Sequence, residues 1–135
     1  MRCGVVVIKY LVDTDWIVYF LRGKEPYVSL LKRYRSDGLA VSIVSVAELY
    51  EGVYRASDPR AREQSLLDFL GSTTVLEVDF NIARTFGQLR AELRKQGLTV
   101  ADMDLLIGST AIFYNLILLT DNRKHYEKIP GIKMS

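Results

Sequence analysis

Apolar residues fall along this chain in two kinds of block: short β-branched runs, and longer stretches with helical spacing. Val5 to Val12 is apolar on both faces apart from Lys9, which predicts a buried first strand. Thr14 or Asp15 then caps a short helix that ends near Leu21, with Gly23 as its stop. Pro26 suits the first turn of a second helix, whose Tyr27, Leu30, Leu31 and Tyr34 fall on one stripe. Gly38 closes it, and Leu39 to Ser42 reads as a second strand. Ser45 and Glu48 have the spacing of a capping box, so a helix is expected from there to about Tyr54. Beyond the polar break Ser57-Asp58-Pro59, a further helix reaches Leu70, and Thr73 to Val78 forms a third strand. Phe80 to Gln96 is a long amphipathic helix with Ile82, Phe86, Leu89 and Leu93 on one face, ended by Gly97. Ala101 or Asp102 opens another helix, which runs to about Tyr114. Ile117 to Leu119 is a fourth strand, and the Tyr126–Ile132 tail leaves room for a last edge strand. Strands that alternate with helices predict an α/β fold: one domain over residues 1–135, with a central parallel sheet of four to five strands flanked by helices.

Composition narrows the choice of chemistry more than the choice of fold. At 135 residues, 49% hydrophobic and 25% charged, the chain suits one globular core and is too apolar for disorder. No repeat, low-complexity tract or linker interrupts it. Cys3 is the only cysteine and His125 the only histidine. Intrachain disulfides, multi-thiolate zinc and histidine-rich metal sites are therefore excluded, and a reducing cytosol is the expected location. The longest uncharged stretch, Leu105 to Leu119, contains Ser109, Thr110, Tyr114 and Asn115. It falls short of the ~20 apolar residues a bilayer demands. Lys9 also breaks the apolar run that follows Arg2, so no signal peptide is expected.

The net charge of +2 is small, but basic residues gather locally: Lys32, Arg33 and Arg35; Arg90, Arg94 and Lys95; Arg123, Lys124 and Lys128. Each cluster alone is an ordinary solvated helix face. Together they can surround an acidic centre that handles a phosphodiester.

Acidic residues sit where a parallel sheet would collect them. Asp13 and the Asp121-Asn122 pair come directly off apolar strands, while Glu48 and Asp104 open helical segments. In an open α/β sheet, strand C-termini and the following helix starts share the edge where ligands bind. Carboxylates crowded there repel, and a hard divalent cation is the usual relief. Asp13 also suits an N-cap, but Thr14 and Asp15 are available for that. The capping box accounts for Glu48 as fully as a site role does. Asp102 and Asp104 cannot share a helix face. Asp104 leads the stripe of Ile107, Gly108 and Ala111, so it is the inward one. Taken alone, Asp121-Asn122 is an ordinary turn pair.

Four stretches in this order resemble the PIN-domain ribonucleases, specifically the VapC-type toxins of prokaryotic toxin–antitoxin pairs. They are Tyr10–Asp15, Ser42–Val53, Asp104–Ala111 and Leu118–Tyr126, and they span nearly the whole chain. The resemblance implies an Mg²⁺- or Mn²⁺-dependent ribonuclease with Asp13, Glu48 and Asp104 as its acidic core. Asp13 and Asp104 would hold the ion. The fourth family position falls on Asn122, with Asp121 beside it as the alternative. Thr14, Ser42 and Thr120 match polar positions around the family's site. The resemblance further implies RNA as substrate, a VapB-type antitoxin whose C-terminal segment covers the site, and a homodimer. The Tyr27–Tyr34 stripe is a candidate for the dimer contact, and core packing explains it equally well. Departures are Gly108 where alanine is usual, Asp15 where asparagine or serine is common, and residues 1–7, which read as an extension from an upstream start.

Two other functions share parts of this pattern. Asp13-Thr14-Asp15 after a strand also suits a haloacid-dehalogenase-type phosphatase. That motif wants a small residue where this chain has Ile17, and it wants a longer chain. A catalytically silent PIN-like module is compatible with Asn122, but three intact acids oppose it.

Overall fold

The computed structural model describes residues 7–135. Five strands form one sheet: β1 (Tyr10–Val12), β2 (Leu39–Ser42), β3 (Thr74–Leu76), β4 (Ile117–Leu119) and β5 (Lys133–Met134). Their spatial order is β3-β2-β1-β4-β5, and every neighbouring pair is parallel. Seven helices flank them: α1 (Thr14–Leu21), α2 (Tyr27–Tyr34), α3 (Ile43–Arg55), α4 (Pro59–Leu70), α5 (Phe80–Lys95), α6 (Asp102–Phe113) and α7 (Arg123–Tyr126). None of these helices is long and apolar enough to cross a membrane.

The central strands β1, β2 and β4 read as mainly apolar runs because both faces of the sheet are covered there. Side chains alternate between the faces with a period of two. Tyr10, Val12, Leu39, Val41 and Leu119 join one core with Trp16, Ile17, Leu31, Leu49, Leu66 and Phe69. Leu11, Ala40 and Leu118 join the other with Leu93, Leu105, Ile107, Tyr126 and Ile129. The apolar stripe of α2 is turned into the first core. Leu31 is fully buried, the Tyr34 ring stacks on Tyr10 at 4.5 Å, and Tyr27 meets Trp16 edge-on at 5.2 Å. Core packing therefore accounts for Leu31, while Tyr27, Leu30 and Tyr34 keep part of their surface exposed.

β1 is shorter than the apolar run that predicted it. Val5 and Val6 lie outside the described residues, while Val7 to Lys9 stay out of the ladder. The amides of Lys9 and Tyr10 both donate to the Gly38 carbonyl, at 3.0 and 3.1 Å, so regular pairing starts only at Tyr10. Gly38 has φ 96°, and a Cβ there would lie 1.9 Å from the Val7 carbonyl oxygen, so only glycine fits. β3 likewise shrinks to Thr74–Leu76, and the last strand falls at Lys133–Met134, beyond the predicted tail segment.

The start of α3 overturns the expected capping box. Ser42, the last residue of β2, is itself the N-cap, and its hydroxyl accepts from the Val44 amide at 3.1 Å. Strand passes into helix with no loop between them. Ser45 is therefore a buried residue within the first turn of the helix, and Glu48 is released from any capping duty.

β1 is the central strand. The chain moves from it to β2 and β3 on one side, then crosses to β4 and β5 on the other. The crevice at the C-terminal ends of β1 and β4 is thus the topological switch point, where ligands bind in open α/β sheets. Val12 is in register with Leu119, so the next residues, Asp13 and Thr120, face each other across the mouth of that crevice.

Candidate active site

Asp13 sits at the bottom of the crevice with 3% of its surface exposed. Contrary to expectation, it is also the N-cap of α1, and its Oδ1 accepts from the Thr14 amide at 2.8 Å. The Thr120 hydroxyl donates to Oδ2 at 2.7 Å, and the Tyr126 hydroxyl lies 3.1 Å from Oδ1. Thr120 in turn accepts from the Asn122 amide at 2.9 Å, which fixes the start of α7. Burial pushes the Asp13 carboxyl pKa up, the three donors pull it down, and nearby Asp104 raises it again.

Asp104 comes from the first turn of α6 and points inward, while Asp102 turns out to Arg90, 2.5 Å away. The Tyr126 hydroxyl is 3.4 Å from Asp104 Oδ1, so one phenol lies between Asp104 and Asp13. On the open side, His125 Nδ1 is 3.2 Å from Asp104 Oδ2. Tyr126 is completely buried, and burial beside Asp13 and Asp104 drives its phenol pKa far up, which keeps it a neutral donor. Neither His125 nor Tyr126 was among the predicted site residues. The signal available was their place just after Asn122, two aromatic ring systems at the end of the fourth matching stretch.

Glu48 reaches the crevice from the second turn of α3. The Thr14 hydroxyl lies 2.6 Å from Glu48 Oε1 and 3.0 Å from Ser45 Oγ. Thr14 therefore couples α1 to α3, and its own amide is the one that Asp13 caps. Ser42 is buried in its capping role and makes no contact with the acids among its hydrogen bonds.

Asp121 points away from Asp13. Its Oδ1 accepts from Trp16 Nε1 at 3.1 Å, and its Oδ2 accepts from the Tyr27 hydroxyl, whose pKa is thereby pushed up to about 12. Its backbone amide donates to Asp15 Oδ2 at 2.9 Å. Both oxygens of Asp121 are thus spent on ring donors from α1 and α2, while Asn122 meets Thr120 through its backbone amide. Asp15 was outside the predicted site. Its carboxyl is raised to about 6, first by burial and then by the charge of Asp13.

Among the described residues, no three His, Cys, Asp or Glu side chains form a ready-made metal cage. The arrangement is instead two carboxylates, Asp13 and Asp104, held near each other by neutral donors. That donor set fits a hard divalent cation such as Mg²⁺, which takes one or two carboxylates and keeps several waters. A cavity of about 190 Å³ opens beside Asp104, lined by Thr99, Val100, Ala101, Lys124, His125 and Lys128. Of the three basic clusters, the last supplies Lys124 and Lys128 to this cavity.

A sequence profile of the PIN domain matches residues 10–131. The chain is 30% identical over 129 residues to the ribonuclease VapC2 of Haemophilus influenzae, a match covering 94% of this chain and 96% of that protein. It is 26% identical to the tRNA(fMet)-specific endonuclease VapC of Salmonella typhimurium, covering 95% of this chain and 97% of that one. Its fold is similar to a chain in the crystal structure of VapBC2 from Rickettsia felis bound to a DNA fragment from their promoter. There the TM-score is 0.87 at 28% identity, covering 95% of this chain and 98% of the other.

Proposed function

The chain belongs to the PIN-domain family, and within it to the VapC ribonucleases; from that membership we propose a toxin that hydrolyses RNA phosphodiester bonds at the Asp13 crevice with Mg²⁺ or Mn²⁺. The observation that carries the reading is the link from Asp13 through the Tyr126 hydroxyl to Asp104, at the mouth between β1 and β4. Asp13 and Asp104 would hold the ion, with Glu48 and Asn122 orienting water around it. Held by these residues, a divalent cation would supply an acidified water and positive charge to offset that of the phosphoryl group.

The remaining work falls to the chain's own side chains. Thr14 holds Glu48 at the rim, where its second oxygen is free to orient an incoming water. Thr120 and the Thr14 amide fix the Asp13 carboxylate from two sides. Lys124 and Lys128, beside Asp104, suit the RNA backbone on either side of the reacting phosphate. The partner would be a VapB-type antitoxin, in keeping with the VapBC assemblies that the fold matches. A homodimer in the reducing cytosol completes the proposal.

The test is incubation of the purified chain with tRNA and rRNA, with Mg²⁺ and with chelator. Cleavage should require the ion and vanish in Asp13→Asn and Asp104→Asn. A folded Asp13→Asn protein that cuts RNA at the wild-type rate removes Asp13 from the reaction. A catalytically silent module would instead cut nothing and bind Mn²⁺ weakly or not at all by calorimetry.

A further inference from the structure

The lone pairs of Asp13 are almost fully spoken for. A carboxylate offers about four acceptor sites, two on each oxygen. Oδ1 takes the Thr14 amide at 2.8 Å and the Tyr126 hydroxyl at 3.1 Å, while Oδ2 takes only the Thr120 hydroxyl at 2.7 Å. One site, on Oδ2, remains open. The Tyr126 donor favours Oδ1 of Asp13, because the side chain is completely buried and its other acceptor, Asp104 Oδ1, is farther away at 3.4 Å. The ring is held in place by the core it shares with Leu105, Ile107 and Ile129.

We propose that Tyr126 is a positioning residue that sets cation choice: by occupying Oδ1, it makes Asp13 a one-oxygen ligand and biases the site toward Mg²⁺ over Ca²⁺. The inference rests on the metal-site reading above. Mg²⁺ demands near-octahedral geometry and binds carboxylates through single oxygens, keeping its waters. Ca²⁺ is larger, takes six to eight oxygens and gains from carboxylates that grip it with both. A phenol locked on one oxygen denies Ca²⁺ that grip and leaves Mg²⁺ unaffected. Thr120 acts differently, since it shares the oxygen that the cation would use. Its loss changes affinity for both ions without opening a second oxygen.

The experiment is calorimetric titration of the full chain with Mg²⁺ and Ca²⁺ separately, for wild type, Tyr126→Phe and Thr120→Val, alongside thermal melts. In the wild type, Ca²⁺ should bind no more tightly than Mg²⁺. Tyr126→Phe should shift the Ca²⁺/Mg²⁺ affinity ratio about tenfold toward Ca²⁺, the worth of one charge-assisted hydrogen bond. Thr120→Val should leave that ratio in place. A ratio unmoved in Tyr126→Phe, or wild-type protein that prefers Ca²⁺, overturns the proposal while leaving the metal site intact. Absence of binding by either ion to the wild type overturns both.

Discussion

Gly108 lies in the interior of α6, where glycine ordinarily costs a helix about 1 kcal/mol relative to alanine. The structure gives the reason it is there. A Cβ at Gly108 would come 2.6 Å from Ile129 Cδ1, with Tyr126 Cδ1 at 3.8 Å and Ile129 Cγ1 at 3.9 Å. Optimal carbon contacts lie at about 3.5–4.0 Å, so Ile129 must retreat by roughly 1 Å inside a close-packed core. Overpacking of that kind costs about 1–3 kcal/mol, against the ~1 kcal/mol of helix propensity regained. Gly108→Ala alone should therefore be neutral to about 2 kcal/mol less stable. Ile129→Val alone, which deletes the offending methyl, should cost about 0.5–1.5 kcal/mol as a small void. Together the new Cβ fills that void and the propensity gain survives, so the double variant should match or exceed wild type by up to about 1 kcal/mol. The two changes should thus couple favourably by about 1–3 kcal/mol. Urea unfolding of all four proteins reads this directly, and thermal midpoints should move by roughly 3–5 °C per kcal/mol. If the two effects simply add to within about 0.5 kcal/mol, Ile129 does not set the size limit at this position and the reasoning fails.

Three further outcomes follow from the site. Asp15 and Asp13 have raised carboxyl pKa values, so the folded chain holds their protons more tightly than the unfolded chain does. Metal-free stability should then be highest below about pH 4 for these groups and fall as pH rises to about 6. Relative to Asp15→Asn the fall should be roughly 1–2 kcal/mol, discounted because Asp15 is partly open to solvent. Denaturation across pH checks it, and excess Mg²⁺ at pH 7 should restore the loss; an identical pH profile in Asp15→Asn contradicts it. Lys124→Ala with Lys128→Ala should raise KM for RNA about tenfold at low salt with little change in kcat, and flatten the salt dependence by about 0.7 per lost contact. A fall in kcat at constant KM would argue against a backbone-binding role. Asp121→Asn should bring the Tyr27 phenol down from about 12 in ultraviolet titration while cleavage persists, whereas Asn122→Ala should slow cleavage. Loss of activity in Asp121→Asn would move the fourth site residue to Asp121.

The sheet was legible because its strands are buried on both faces. Leu39–Ser42 and Ile117–Leu119 announce themselves as short, mainly apolar runs, and the structure keeps those bounds. The first strand misled because β-branched residues report burial, whereas pairing depends on where a carbonyl such as Gly38's is shared. Helix starts were harder to read. Ser42 and Ser45 both precede helical spacing, and only the direct passage of β2 into α3 decides between them. The acids of the matching stretches were readable because strand ends and helix starts have fixed places in a parallel sheet. Tyr126 and His125 were not, since a four-residue helix carries no periodicity and a buried tyrosine resembles core until its hydroxyl is seen between two carboxylates. The outward turn of Asp121 depends on Trp16 and Tyr27, more than ninety positions away along the chain, which no local pattern records.

The double duty of Asp13 has a practical consequence. The same carboxylate follows a strand, caps α1 and anchors Thr120 and Tyr126, so on the proposed mechanism deleting it removes an ion ligand and loosens the scaffold at once. Asp104 carries no cap, and among the described residues its oxygens pair with His125 and Tyr126. For an inert bait that still presents a native surface to RNA or to a neutralising protein, Asp104→Asn is the variant to make.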